Sequence, residues 1–199
     1  MKADNTAIIL IGFQNDYFSQ DGLLNSIVAQ NIAANNTLSN TLNLIDKAIE
    51  LGVKIYNIPI YFSDDYCELE KPIGLLATIK EVGAFKESTK GGKIIDEFNK
   101  FGNKLIEVRG KTGFNAFNKT SLNAFLEMEK IENVVIAGVV TSVCIDSTAR
   151  AAFEFGFNTI VLSDCIAGRS QSENDFYCSE IFPLYASIKT STEFLSEID

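Results

Sequence analysis

The sequence predicts an α/β layered fold built on a mainly parallel sheet, and three observations carry that prediction. Apolar, strand-like runs alternate with helical stretches along the whole chain. The strand cores, such as AIILI at Ala7–Ile11 and VVIA at Val134–Ala137, are continuous rather than alternating, as strands buried on both faces are. Helical stretches close on glycines, Gly52 and Gly156, as helix ends often do.

The elements follow in order. Ala7–Ile11 is the first strand. Val28–Glu50 reads as one helix, with Ile32, Leu38, Leu42, Ile45 and Ile49 near helical spacing. Val53–Phe62 is the second strand, although Pro59 needs its missing amide to face away from a partner. Ser63–Gly91 has an irregular pattern, which suits an excursion that borders a pocket or simply packs on the surface. Ile94–Phe101 is a short helix and Lys104–Val108 the third strand. Thr120–Lys130 is helical, with Leu122, Phe125, Leu126 and Met128 as inward positions. Asn133–Ala137 is the fourth strand, Val143–Phe155 the next helix and Thr159–Leu162 the fifth strand. Ser172 and Asp175 have the spacing of a capping box. Ala186–Thr190 is the sixth strand. No repeat and no Pro- or Gly-rich linker divides the chain, so one domain over residues 1–199 is expected.

Composition narrows the function. Hydrophobic residues make up 46% and charged residues 22%, enough apolar material for a sizeable core. The net charge of -9, with no lysine or arginine cluster, disfavours nucleic acid and anionic membranes as partners. The polar opening MKADNT gives no expectation of a signal peptide, and no run is long enough to span a bilayer. Cys67, Cys144, Cys165 and Cys178 lack metal-knuckle or redox spacing, so free thiols in a reducing, cytoplasmic setting are expected. The absence of histidine removes the standard Ser-His-Asp and Cys-His machineries and leaves no metal or cofactor site to predict.

In a parallel α/β sheet, sites lie beyond the carboxyl ends of the strands. Three such ends carry polar residues: Gly12–Asp16, Arg109–Lys111 and Gly138–Cys144. In GVVTSVC, Cys144 stands where a helix opens, among backbone donors that favour a thiolate and can stabilise an oxyanion. It is a candidate nucleophile; the competing reading is a small buried hydrophobe. Lys111 is a candidate partner for that thiol, or an ordinary surface charge. Arg109, two positions earlier, is weaker. Asp16 is a candidate proton acceptor or orienter of Lys111, or a cap for its turn. Gln14 is a candidate hydrogen-bonding group near substrate, while Asn15 suits a chain reversal.

The stretches FQNDYF, KTGFNAF, AGVVTSVCIDSTARAAFEFGF and TIVLSDCIAG, in that order, resemble the isochorismatase-like cysteine hydrolases, a family that includes nicotinamidases and carbamoylsarcosine amidases. The resemblance implies a three-layer, Rossmann-like α/β/α sandwich with a six-stranded parallel sheet, and a homo-oligomer acting on a small-molecule substrate. It implies Cys144 as nucleophile and Lys111 as the lysine of an Asp-Lys-Cys set. It also implies a cis bond at Val139–Val140, and an oxyanion hole from the amides of Val140 and Cys144. The family aspartate falls on Gly12; Asp16 matches a second, mainly structural carboxylate, and with Asp64 and Asp65 is a candidate substitute base. SDDYCELE and the lack of histidine depart from the nicotinamidase metal site. Phe13, Phe18 and Tyr66 are candidate apolar pocket walls, or ordinary core aromatics. The implied activity is hydrolysis of a small amide or carbamoyl compound through a Cys144 thioester. The alternative is a catalytically impaired relative that binds a small carbonyl compound, and vinyl ether hydrolysis is disfavoured by Gly12.

Overall fold

Parallel pairing starts from a strand that is apolar at nearly every position. In the computed structural model, which describes residues 1–199, β1 (Thr6–Ile11) is buried throughout. It sits between β2 (Lys54–Ile58) and β4 (Asn133–Val139). β3 (Leu105–Glu107) flanks β2, and β5 (Asn158–Ala167) and β6 (Ser187–Lys189) extend the other side. The order is β3-β2-β1-β4-β5-β6 and every pair is parallel. The strand order reverses between β1 and β4, the switch point at which such sheets open a crevice.

The helices are α1 (Asn15–Phe18), α2 (Asn25–Ala34), α3 (Thr37–Leu51), α4 (Gly74–Val82), α5 (Leu122–Met128), α6 (Asp146–Glu154), α7 (Gln171–Phe176) and α8 (Ser191–Ser196). The two-residue period of the strands sorts the core. Ile8 and Leu10 pack with Leu44, Ile45 and Ala48 of α3 and Phe194 of α8. Ala7, Ile9 and Ile11 pack with Leu122 and Leu126 of α5 and Ala149 and Ala152 of α6. The result is a three-layer α/β/α sandwich. Each fully buried Ile or Leu contributes about 1.5–3 kcal/mol, so β1 alone anchors both layers. A third cluster, with Tyr17, Phe62, Tyr66, Phe85, Val139 and Val140, closes the carboxyl ends of the central strands.

Several elements differ from expectation for local reasons. The Val28–Glu50 helix is two helices, because Asn36 takes a left-handed φ of 51° and the side-chain Nδ2 of Asn35 donates to the carbonyls of Ser163 and Ile166. The second strand stops at Ile58, before Pro59. Residues 94–101 do not form one helix; 3-10 turns run over Asp96–Lys104 and kink at Gly102. The fifth strand runs on to Ala167, because Asp164 accepts from the amide and hydroxyl of Ser191 and the chain returns to the core at Cys165. The cap of α7 is Ser170 with Glu173, not Ser172 with Asp175. Met128 is 69% exposed rather than inward. No helix is long and apolar enough to cross a membrane.

Candidate active site

The site grows from the close approach of β1 and β4. Gly138 pairs with Ile11 at φ +130°, and a Cβ there would run into the Ile11 carbonyl. Gly12, next in the chain, has φ +76°, and a Cβ on it would lie 2.7 Å from the Val139 carbonyl oxygen. Both positions thus require glycine conformations in a space too tight for a side chain. Beyond β4 the Val139–Val140 peptide is cis. The chain then turns widely over Thr141–Ile145 into α6, with the amides of Val143 and Ile145 donating to the Val140 carbonyl. Thr141 Oγ1 donates to Asn174 Oδ1 on α7, pinning the turn from above.

This turn places Cys144 at 5% exposure, against Lys111 at 1%. Lys111 Nζ donates to Cys144 Sγ at 3.6 Å. Lys111 is held in place from both sides: its carbonyl accepts from the Tyr61 amide, and five residues later Ala116 N donates to Thr148 Oγ1 of α6. Burial pulls the Lys111 pKa below 10.5, while the Cys144 charge and hydrogen bond pull the other way. No carboxylate bonds to either member of the pair.

The polar residues after β1 form no hydrogen bond to the pair. Gln14 is fully buried; its Nε2 donates to the carbonyls of Ile60 and Gly92, and its Oε1 accepts from Ile60 N. Asp16 is 1% exposed and accepts from the amides of Leu23 (3.2 Å) and Phe85 (2.6 Å). Gln14 thus ties the chain after β1 to the two flanks of the Ser63–Gly91 excursion, Asp16 ties it to Phe85 within the excursion, and neither side chain bonds to the thiol. Asp64 bonds Ser88, and Asp65 bonds Ser63 and the Cys67 amide, both on the exposed rim of the excursion. Arg109 turns outward to Glu87, Glu107 and the Tyr61 ring.

The expected aromatic walls divide in the same way. Phe13 packs on Phe18 and Phe98 in the core on the α3 side, away from the face that holds Cys144. Tyr66 donates to the Ala84 carbonyl and packs on Phe62, and burial raises its pKa to about 12. A cavity of about 390 Å³ beside the turn that carries Cys144 is instead lined by Val140, Ser142 and Val143 of that turn with Tyr17, Leu75, Ile27, Tyr177 and Arg169; Cys144 and Lys111 themselves lie behind this lining. That volume suits a small molecule. Leu75 comes from the excursion, which therefore does border the pocket. Sequence reasoning missed Tyr17, Tyr177 and Arg169; the signal for Tyr17 was its place directly behind Gln14–Asp16. A larger groove of about 510 Å³ at the far end of β4, β5 and β6 contains no thiol and no buried charge.

The family profile of the isochorismatase domain matches residues 6–193. This chain belongs to the isochorismatase-domain family. It is 25% identical over 177 residues to the ureidoacrylate amidohydrolase RutB of Rhizobium rhizogenes, covering 82% of this chain and 71% of that protein. It is 27% identical over 161 residues to nicotinamidase 3 of Arabidopsis thaliana, covering 81% of this chain and 72% of the relative. The crystal structure of a cysteine hydrolase from Pseudomonas syringae pv. phaseolicola superposes with a TM-score of 0.83 at 16% identity, covering 98% of this chain and 93% of that one. The sandwich and sheet of this isochorismatase-family member therefore follow the fold expected from its motifs.

Proposed function

We propose that this isochorismatase-family protein hydrolyses a small amide or carbamoyl compound, with Cys144 as nucleophile and Lys111 as its proton partner. The observation that carries the reading is the buried Lys111–Cys144 contact at 3.6 Å beside a cavity of small-molecule size. The names of the relatives, an amidohydrolase and a nicotinamidase, point to the same bond class.

The Asp-Lys-Cys set of this family lacks its aspartate here, at Gly12, and none of Asp16, Asp64 and Asp65 bonds to the pair. The base is then Lys111 itself. A lysine whose pKa is lowered by burial holds more neutral amine near pH 7 than a solvated one. Its amine takes the thiol proton as sulfur attacks the carbonyl carbon. The amides of Val140 and Cys144 receive the oxyanion. The C–N bond breaks, the departing nitrogen takes the proton from the Lys111 ammonium, and water then cleaves the thioester to free the acid and the thiol. Small-molecule turnover in a homo-oligomer, without nucleic acid, completes the reading.

A panel of carboxamides, ureido acids and N-carbamoyl compounds tests it. Turnover, a mass-detected acyl adduct on Cys144, and loss of both in Cys144→Ala support it. The lack of any carboxylate on the pair favours one second reading, a non-catalytic relative that binds small carbonyl compounds. Binding without adduct or turnover across the panel selects that reading.

A further inference from the structure

Tyr17 is 3% exposed and stands on the same short helix as Asp16, whose bonds to Leu23 and Phe85 fix that helix against the excursion. Its ring packs 4.9 Å from that of Phe85. Its Cδ2 lies 3.6 Å from the point where a side chain on residue 12 would begin. The ring therefore flanks the point at which a side chain on residue 12 would start. Tyr17 also lines the cavity beside the Cys144 turn together with Val140 and Val143.

Its hydroxyl has no partner in the protein, and it is not sealed: the fully enclosed unpartnered side-chain atoms are Thr41 Oγ1 and Asn57 Oδ1. Buried tyrosines ordinarily pair their hydroxyls, as Tyr66 does with Ala84. The hydroxyl of Tyr17 is thus an unpartnered group on a residue that lines the cavity. Burial, followed by the charges of Cys144 and Asp16, pushes its pKa well above 10.0, so near neutral pH it is a donor and not a base.

We propose that Tyr17 is a catalytic residue of this site whose O–H donates a hydrogen bond to the departing nitrogen of the bound amide. The proposal rests on the hydrolase reading above. No bond to Tyr17 forms or breaks: its hydrogen bond strengthens as the C–N pair of electrons moves onto nitrogen, and the proton still comes from Lys111.

Tyr17→Phe removes the donor and keeps the ring on Phe85. On an amide substrate of the panel, kcat is expected to fall roughly ten- to hundredfold with KM within about twofold, the range for a hydrogen bond to a charging partner. Acylation by p-nitrophenyl acetate, whose leaving group needs no proton, and alkylation of Cys144 by iodoacetamide are expected to stay within about twofold of wild type. An unchanged amide kcat overturns the proposal, as does equal loss on amide and ester, which would place Tyr17 on the thiol or the pocket shape. Wild-type protein that acylates with neither compound defeats the hydrolase reading itself, and the role of Tyr17 falls with it.

Discussion

The carboxyl ends of β1 and β4 lie side by side at the switch point, yet they do different work. At the end of β4 the chain delivers a thiol to a buried amine, with a cavity alongside. At the end of β1 it delivers a denser polar run, Gln14–Asn15–Asp16, and almost all of it goes to backbone. Gln14 closes on Ile60 and Gly92, Asn15 on Lys90, and Asp16 on Leu23 and Phe85. The difference is one of supply. The excursion that covers the pocket has few regular hydrogen bonds of its own, and buried amides and carbonyls need partners. Polar residues beside a site can therefore exist to hold its wall.

Substitutions sharpen that contrast, beginning with the largest effect. Cys144→Ala should lower amide turnover by at least about a thousandfold while shifting the melting temperature little, since it removes the proposed nucleophile and only one sulfur atom. Calorimetry beside steady-state assays separates the two. Asp16→Ala should do the reverse: it orphans two amides and should destabilise by roughly 2–5 kcal/mol in urea unfolding. If the variant folds as well as wild type and only loses activity, Asp16 belongs to the chemistry.

Gly12→Asp sits on the boundary between the two regions. A carboxylate placed at position 12 should not raise activity, because residue 12 has φ +76° and its Cβ would press on Val139. A loss of about 1–3 kcal/mol of stability is expected instead. A gain in turnover would show that the backbone yields and that the pair does want a carboxylate.

The smallest effect is read through pH. Burial lowers the Lys111 pKa in the folded state, so between that value and 10.5 the unfolded chain binds more protons. Stability should rise with pH across that window, and the cost of burying the ammonium is full below it. Lys111→Met should therefore stabilise by about 1 kcal/mol or more near pH 7 and by less as the pH climbs. A constant difference from pH 6 to pH 10 would mean that Lys111 does not titrate in that range.

Much of this was legible in the sequence where a single rule governs. Continuous apolar runs mark strands buried on both faces, and all six strands lie where such runs or short apolar segments predict them. The meeting of Cys144 and Lys111 was legible because both follow strands whose carboxyl ends share one edge of a parallel sheet. A structural Asp16 was one of the readings the sequence offered, but its partners, and those of Gln14, were not legible, since a buried carboxylate that accepts two amides and one that accepts a proton look alike in a one-dimensional pattern. The helix break at Asn35–Asn36 depends on bonds to Ser163 and Ile166, over a hundred residues away. The place of Phe13 behind the sheet was equally hidden, because the bend at Gly12 resets the alternation inherited from β1.

The central claim is that Lys111, without a carboxylate, activates Cys144, and that Asp16 only holds the wall. The rate of Cys144 alkylation by iodoacetamide at pH 7, compared among wild type, Lys111→Met and folded Asp16→Asn, tests it directly. The account predicts a rate at least about tenfold lower in Lys111→Met and a rate close to wild type in Asp16→Asn. Equal rates in wild type and Lys111→Met, or a loss in Asp16→Asn as large as that in Lys111→Met, would contradict it.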